Sequence, residues 1–279
     1  MEYKVILDSC GELTEEMKAD PHFASVPLIL TLDGEEIPDD ENFDQASFIK
    51  KMKESSEAPK SASPSPEKFY NEYMSGPKEF FVVTLSANLS SSYTSAQMGA
   101  QMALEENPDL KIHVFNSISA SPAETLIGRF ADELKRKGAS FEEVVEQGEA
   151  YIKRMSTFFV LDNLDVFRKS GRLTGVKSVM TSALKLRPIM AGSDVGTIFQ
   201  ADIARGTKKA LERMVELAIE KMEASKPSII GITHCNCPER AELVKNAIAK
   251  KVDGLEYQIN NARGVSTMYA NDGGVILSF

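Results

Sequence analysis

Two successive α/β units are what this sequence predicts: an N-terminal parallel, doubly wound sheet over residues 1–155 and a C-terminal mixed-sheet α/β unit over residues 156–279, with a ligand cleft between them. Three observations carry that expectation. At 279 residues the chain exceeds the usual size of one hydrophobic core, and its 42% apolar content is enough to fill two. Up to about Met155, short β-prone apolar runs alternate with helix-length segments, the pattern of strands joined by crossover helices. After about Ser156 the pattern changes to strands mixed with fewer helices, and no repeat or extended low-complexity linker separates the halves, so they should pack closely.

Taken in order, Tyr3 to Leu7 reads as a strand, Thr14 to Ala19 as a short helix, and Ala24 to Leu32 as a strand ending at the turn Asp33-Gly34. Phe43 to Lys53 and Ser65 to Met74 read as helices. The second opens on Ser65-Pro66-Glu67, a cap followed by a first-turn proline and an acidic residue. Phe80 to Leu85 is the central strand, Ser92 to Glu106 a helix, Ile112 to Phe115 a strand, and Pro122 to Lys137 and Phe141 to Met155 helices. In the second half, strands are expected at Thr157 to Leu161, Gly196 to Gln200, Ile229 to Thr233, Leu255 to Asn260 and Gly274 to Phe279. Helices are expected at Ser178 to Leu184, Lys208 to Glu223 and Pro238 to Lys250. Ligands of the parallel sheet are expected beyond the carboxyl ends of its strands.

The densest chemistry lies where Phe80 to Leu85 empties into Ser90-Ser91-Ser92. Backbone N–H groups at a helix N-terminus lack partners and carry the positive end of the helix dipole, and neighbouring hydroxyls add donors for a carboxylate or phosphate. A second hydroxyl-rich loop, Lys60-Ser61-Ala62-Ser63-Pro64-Ser65-Pro66, precedes it. The plainer reading is a serine-capped helix and a proline-punctuated turn.

Charge and cysteine content exclude several classes. Met1 runs straight into a strand pattern without a signal segment, and no uncharged apolar run approaches membrane-spanning length, so a cytoplasmic protein is expected. Three cysteines provide no disulfide framework, and a net charge of −9 argues against general nucleic-acid binding. The charge is uneven, however. From Arg168 to Lys209 there are nine basic residues, among them Arg172, Lys177, Arg205 and Lys208, and two acidic ones, a net +7 that leaves −16 for the rest. This span reads either as scattered solvated charges or as a positive face for an acidic protein, a phosphorylated ligand or, peripherally, an anionic membrane.

Other constellations are less complete. His234-Cys235-Asn236-Cys237 offers three soft-metal ligands but lacks a fourth. No G-x-S-x-G motif and no histidine in a triad context accompany the serines, so no catalytic residue is assigned, and neither G-x-G-x-x-G nor a P-loop occurs.

Several motifs in order resemble the DegV family of fatty-acid-binding proteins, whose characterised members are binding subunits of bacterial fatty acid kinase. Asp8-Ser9-Cys10-Gly11-Glu12-Leu13 is similar to its opening D-S-x-x-D-L, and Val26-Pro27-Leu28 with Gly34 and Asp39-Asp40 to its second signature. Ser61 to Pro66 resembles T-S-x-P-S-P, Leu85 to Ala96 resembles I-S-S-x-L-S-G-T-Y-x-S-A, and Asn116 to Ser121 resembles V-D-S-x-x-A-S. Leu164 to Leu173 is like L-x-Y-L-x-K-G-G-R-I, and Leu184 to Ile189 like L-K-I-K-P-I-L.

The resemblance implies a noncatalytic carrier with no cofactor, holding a long-chain fatty acid between two α/β domains and presenting it to a separate fatty acid kinase. The alternative is a stand-alone lipid-binding or lipid-acting relative without that coupling. Ser61 and Ser90 are then the carboxylate donors, with backbone N–H groups around Ser91 and Ser92. Arg172, Arg205 and Lys208 become partner or phosphate contacts. Met98, Met102, Met180, Met190, Met214 and Met268 are available for an acyl tunnel or a plain core. Where the family carries a histidine before G-P-G, this chain reads Tyr269-Ala270-Asn271-Asp272-Gly273-Gly274; Tyr269 can donate a hydrogen bond but is no near-neutral acid or base.

Overall fold

The computed structural model describes residues 2–173 and 185–279. Its first half runs β1 (Tyr3–Asp8), α1 (Glu15–Ala19), β2 (Phe23–Val26), β3 (Ile29–Leu32), β4 (Glu35–Pro38), α2 (Gln45–Glu54), β5 (Lys60–Ala62) and α3 (Pro66–Tyr73). There follow β6 (Glu79–Thr84), α4 (Ser92–Glu106), β7 (Lys111–Asn116), α5 (Pro122–Arg136) and α6 (Phe141–Ile152). The second half contains β8 (Thr157–Val160), α7 (Asp165–Lys169), β9 (Leu186–Gly192), β10 (Ile198–Arg205) and α8 (Thr207–Ser225). It closes with β11 (Ile229–His234), α9 (Pro238–Ala249), β12 (Glu256–Asn261), α10 (Gly264–Ala270) and β13 (Val275–Ser278). The helix expected over Ser178 to Leu184, together with Lys177 and Met180, lies outside the described residues.

The strands of the described residues form three sheets. The first, in order β2-β1-β6-β7, is parallel throughout. Its central strands are apolar on both faces because both faces are covered: Val5, Leu7, Phe81 and Val83 pack with residues of α5 and α6, while Ile6, Phe80 and Val82 pack with residues of α3 and α4. That is the expected doubly wound sheet. The second sheet, β10-β9-β8-β13-β11-β12, is antiparallel except between β11 and β12. Residues of α8 and α9 bury one of its faces. Helix α5 contacts β1 and β6 of the first sheet and β11 and β13 of the second. Its Pro122 and Leu126 approach so near Gly231 of β11 that a Cβ there would lie 2.8 Å from Pro122 Cβ.

The third sheet, β4-β3-β5, was not anticipated. The single strand expected over Ala24 to Leu32 is two strands in two sheets. Pro27 has no N–H with which to continue a ladder, and Ser9 takes over the pairing: its N–H donates to Val26 O at 3.1 Å, and Leu28 N–H donates to Ser9 Oγ at 3.0 Å. Asp33 and Gly34, at φ 50° and 79°, make the two-residue turn from β3 to β4. Strand β9 was likewise unforeseen, since Pro188 weakens its pattern, yet Pro188 pairs only with Ile203 across β10.

Helices α3 and α4 touch through Gly99, whose added Cβ would lie 2.6 Å from Pro66 O and 3.0 Å from Tyr70 N. Neither neighbour is a flexible side-chain end. Gly99→Ala is therefore expected to destabilise the protein by about 1–3 kcal/mol, read as a lower urea midpoint at unchanged slope. An unchanged midpoint would mean that α3 gives way without cost.

Candidate functional site

The carboxyl ends of β1, β6 and β7 point at a narrow cavity of about 90 Å³, entered by Cys10, Leu85, Leu89, Ser90 and Ile118 from the loops that follow those strands. Because β1 leads to β2 on one side while β6 lies on the other, this is the topological switch point, where an open parallel sheet leaves a crevice. Phe159, Leu161, Ile198 and Ile276 close it from the second sheet. A wider groove of about 1050 Å³ lies between α1 and β12, but Glu15, Glu16, Asp20, Arg129, Glu133 and Arg136 line it, and such a surface does not bury hydrocarbon.

Beside the hydroxyls of Ser119, Ser121, Thr157, Thr197 and Ser266, four polar side chains line the cavity close to one another: Ser61, Ser90, Arg172 and Tyr269. Each arrives on a different element. Ser61 sits on β5, opposite Leu30 in the small sheet. Ser90 lies in the turn before α4, where its Oγ accepts from Ser92 N–H at 3.2 Å. Tyr269 is on α10, with its Oη 3.3 Å from Ser61 Oγ. Arg172 follows α7; its guanidinium carbon stands 5.9 Å from the centre of the Tyr269 ring, and Phe167 packs on the same ring at 4.6 Å. The guanidinium donates to two backbone carbonyls, Leu89 O and Ser170 O, each at 3.1 Å, and to no carboxylate among the described residues. A positive charge thus remains available at the polar end of an apolar slot.

Ser91 and Ser92 do not line the cavity. Ser91 is exposed, whereas Ser92 is fully buried and donates to Asp8 Oδ2 at 2.5 Å. The basic span divides as well. Arg168 pairs with Asp165 and Arg187 with Asp162, Arg172 joins the cavity, and Arg205 and Lys208 are exposed at the end of β10 and the start of α8. No methionine among the described residues lines the slot: Met190, Met214 and Met268 belong to cores, while Met98 and Met102 face solvent on α4.

Sequence reasoning missed the buried acids behind the site, although Asp8, Glu12 and Asp39 all fall in the motifs quoted above. Asp39 accepts from Gly264 N–H at 2.7 Å, Val265 N–H at 2.9 Å and Ser9 Oγ at 2.9 Å, so it caps the helix that carries Tyr269. Glu12 accepts from Ser121 Oγ at 2.9 Å and Thr233 Oγ1 at 3.2 Å, and burial pushes its carboxyl up to about 7. Burial and the adjacent Asp8 raise the Glu124 carboxyl well above its ordinary range. Of these acids only Asp8 had a local signal, as the last residue of an apolar strand.

The His234 to Cys237 segment is a strand-end turn in which Cys237 N–H donates to His234 Nδ1 at 3.3 Å. Among the described residues no group of three His, Cys, Asp or Glu side chains is placed to hold a metal. No described helix is long and apolar enough to cross a membrane.

A narrow apolar slot with hydroxyls and a guanidinium at one end has the make-up of a site for an amphipathic molecule with an anionic head. Residues 2–278 match the model of the DegV family, described as uncharacterised proteins, and the chain belongs to that family. It is 32% identical to a DegV domain-containing protein of Streptococcus pyogenes serotype M1, covering 100% of this chain and 99% of that one. Among solved structures, a DegV family protein of Ruminococcus gnavus with vaccenic acid has a TM-score of 0.96 and 44% identity, covering 99% of each chain. The fatty acid kinase (Fak) B3 protein of Streptococcus pneumoniae loaded with linoleic acid has a TM-score of 0.88 and 29% identity, covering 100% of this chain and 99% of that one.

Proposed function

We propose that this protein binds a long-chain fatty acid, with the acyl chain in the apolar slot and the carboxylate at Ser61, Ser90, Tyr269 and Arg172. The carrying observation is the convergence of those four groups on a slot whose remaining lining is largely apolar, with Ser119, Ser121, Thr157, Thr197 and Ser266 as its other polar side chains. Each buried methylene contributes about 0.8 kcal/mol, so the tail supplies affinity while the polar groups fix the head. The fatty acids bound by the Ruminococcus and Streptococcus proteins support the same assignment. Native mass spectrometry of the protein as purified tests it: a copurified mass of an ordinary fatty acid is expected, restored on adding oleate after delipidation. A protein that neither carries nor takes up fatty acid overturns the reading.

The role is that of a noncatalytic carrier that presents the carboxylate to a separate fatty acid kinase for acyl-phosphate formation. The resemblance to the Fak B3 protein supports the coupling. A carrier without kinase coupling is the second reading, favoured by Tyr269 in place of the family histidine. Acyl-phosphate formation with a fatty acid kinase separates the two.

Exposed Arg205 and Lys208 are docking residues in this scheme. Reversal of both to glutamate is expected to weaken kinase association and flatten its salt dependence, with fatty-acid affinity intact. Equal loss of both functions would assign the two residues to the fold instead.

A further inference from the structure

The turn that presents Ser90 lacks the usual anchor of a helix start. Ser91, the residue preceding α4, makes no side-chain capping bond. A carboxylate from another strand holds the turn instead. Asp8 Oδ2 accepts from Leu85 N–H at 2.9 Å, where the chain leaves β6, and from Ser92 Oγ at 2.5 Å, where α4 begins. One oxygen therefore ties both ends of the segment Leu85 to Ser92, while Oδ1 accepts from Cys10 N–H at 3.1 Å on the loop after β1.

Inside that tie the remaining bonds leave the Ser90 hydroxyl hydrogen uncommitted. Leu89 and Ser90 N–H both donate to Ser86 O, at 2.9 and 3.0 Å, and Ser86 Oγ donates to Gly196 O at 2.8 Å. Ser92 N–H donates to Ser90 Oγ, so that oxygen is used as an acceptor, and no acceptor for its hydrogen is present among the described residues. Arg172 Nε hangs on the same turn through Leu89 O. Two of the four head-group side chains thus depend on where this turn sits.

We propose that Asp8 is the positioning residue of the head-group site: its carboxylate sets the Leu85 to Ser92 turn so that Ser90 and Arg172 aim at the ligand, without touching the ligand itself. The inference rests on the fatty-acid reading above and deepens it. Glu124, from the N-terminal turn of α5, is the nearest acid to Asp8; burial and Asp8 raise its carboxyl well above the ordinary range, and its Oε2 is buried without a hydrogen-bond partner among the described residues. Cys10 and Glu12 are the other titratable groups near Glu124, and neither is placed to take a bond from the turn. Three donors hold Asp8, leaving it little freedom of its own.

The test compares two ligands that share a tail and differ in the head: oleate and oleyl alcohol. Their dissociation constants are measured for the unmodified protein, Asp8→Asn and Ser92→Ala. Asparagine keeps the shape but brings a donor where Cys10 N–H or the turn requires an acceptor, and Ser92→Ala removes the same bond from the opposite side. Both variants are expected to weaken oleate binding about tenfold, the equivalent of one lost charge-assisted hydrogen bond, and to leave the alcohol unchanged. An unchanged preference for oleate over the alcohol in Ser92→Ala, whether or not Asp8→Asn folds, overturns the proposal. So does equal loss of both ligands, which would make Asp8 a support of the whole pocket. Failure of the unmodified protein to bind oleate at all defeats the fatty-acid reading instead.

Discussion

Ser90→Ala is expected to weaken fatty-acid binding by roughly ten- to a hundredfold, and Ser61→Ala added to it to weaken binding further. A hydroxyl donating to a buried carboxylate contributes about 1.5–3 kcal/mol, and a tenfold change in affinity corresponds to about 1.4 kcal/mol. Ser90 should carry the larger share, since its hydrogen has no acceptor among the described residues, whereas Ser61 lies 3.3 Å from Tyr269 Oη. Titration with a fluorescent fatty acid measures each step, and unchanged affinity in the double variant would move the carboxylate away from these loops. Arg172 and Tyr269 would then be the remaining anchors, because the apolar walls alone fix no orientation.

The second large effect concerns pH. Burial raises the Glu12 carboxyl in the folded protein from 4.5 to about 7, with the hydroxyls around it opposing the rise. Between those values the folded state holds a proton that the unfolded chain has released, so this group's contribution is fully present below about pH 4.5 and is lost as pH climbs through 7. The slope is about 1.4 kcal/mol per pH unit at most, on the order of 3 kcal/mol across the window. Glu12→Gln keeps the shape and cannot ionise. Urea unfolding from pH 4.5 to pH 8 is expected to show the variant gaining on the parent as pH rises, with the difference levelling above about pH 7. A constant difference would mean that Glu12 keeps its ordinary carboxyl behaviour in the fold.

The parallel sheet was legible because its central strands read as unbroken apolar runs, Val5-Ile6-Leu7 and Phe80-Phe81-Val82-Val83, a pattern that only a sheet covered on both faces produces. Ser61 and Ser90 were legible as residue types that donate to anions, and both line the slot. Other features fell beyond local pattern. Strand β9 contains a proline, and the seven-residue α10 begins with glycine and is buried almost throughout, so it has no polar stripe to announce a helical period. Ser92 reads as a capping serine, whereas its partner is a carboxylate 84 residues away in sequence. Arg172 reads as one of a run of surface cations. Its separation from Arg205 and Lys208 is set by the turn at Gly171, with φ 73°, and by the Tyr269 ring, neither of which a count of charges contains.

The head-group side chains come from elements distant in sequence that share one apolar cluster: Ser61 from the small antiparallel sheet, Ser90 from the end of a parallel strand, and Tyr269 from α10. A single anion bonded to all three is a further internal link between these elements. Its occupancy then enters the unfolding equilibrium of the whole chain by mass action, about 2.7 kcal/mol at a hundred times the dissociation constant. Loaded protein should melt as one cooperative unit and exchange amide hydrogens slowly in β5 and α10, whereas delipidated protein should open those two elements first. On this footing a fatty acid is as much a structural member of the molecule as its cargo.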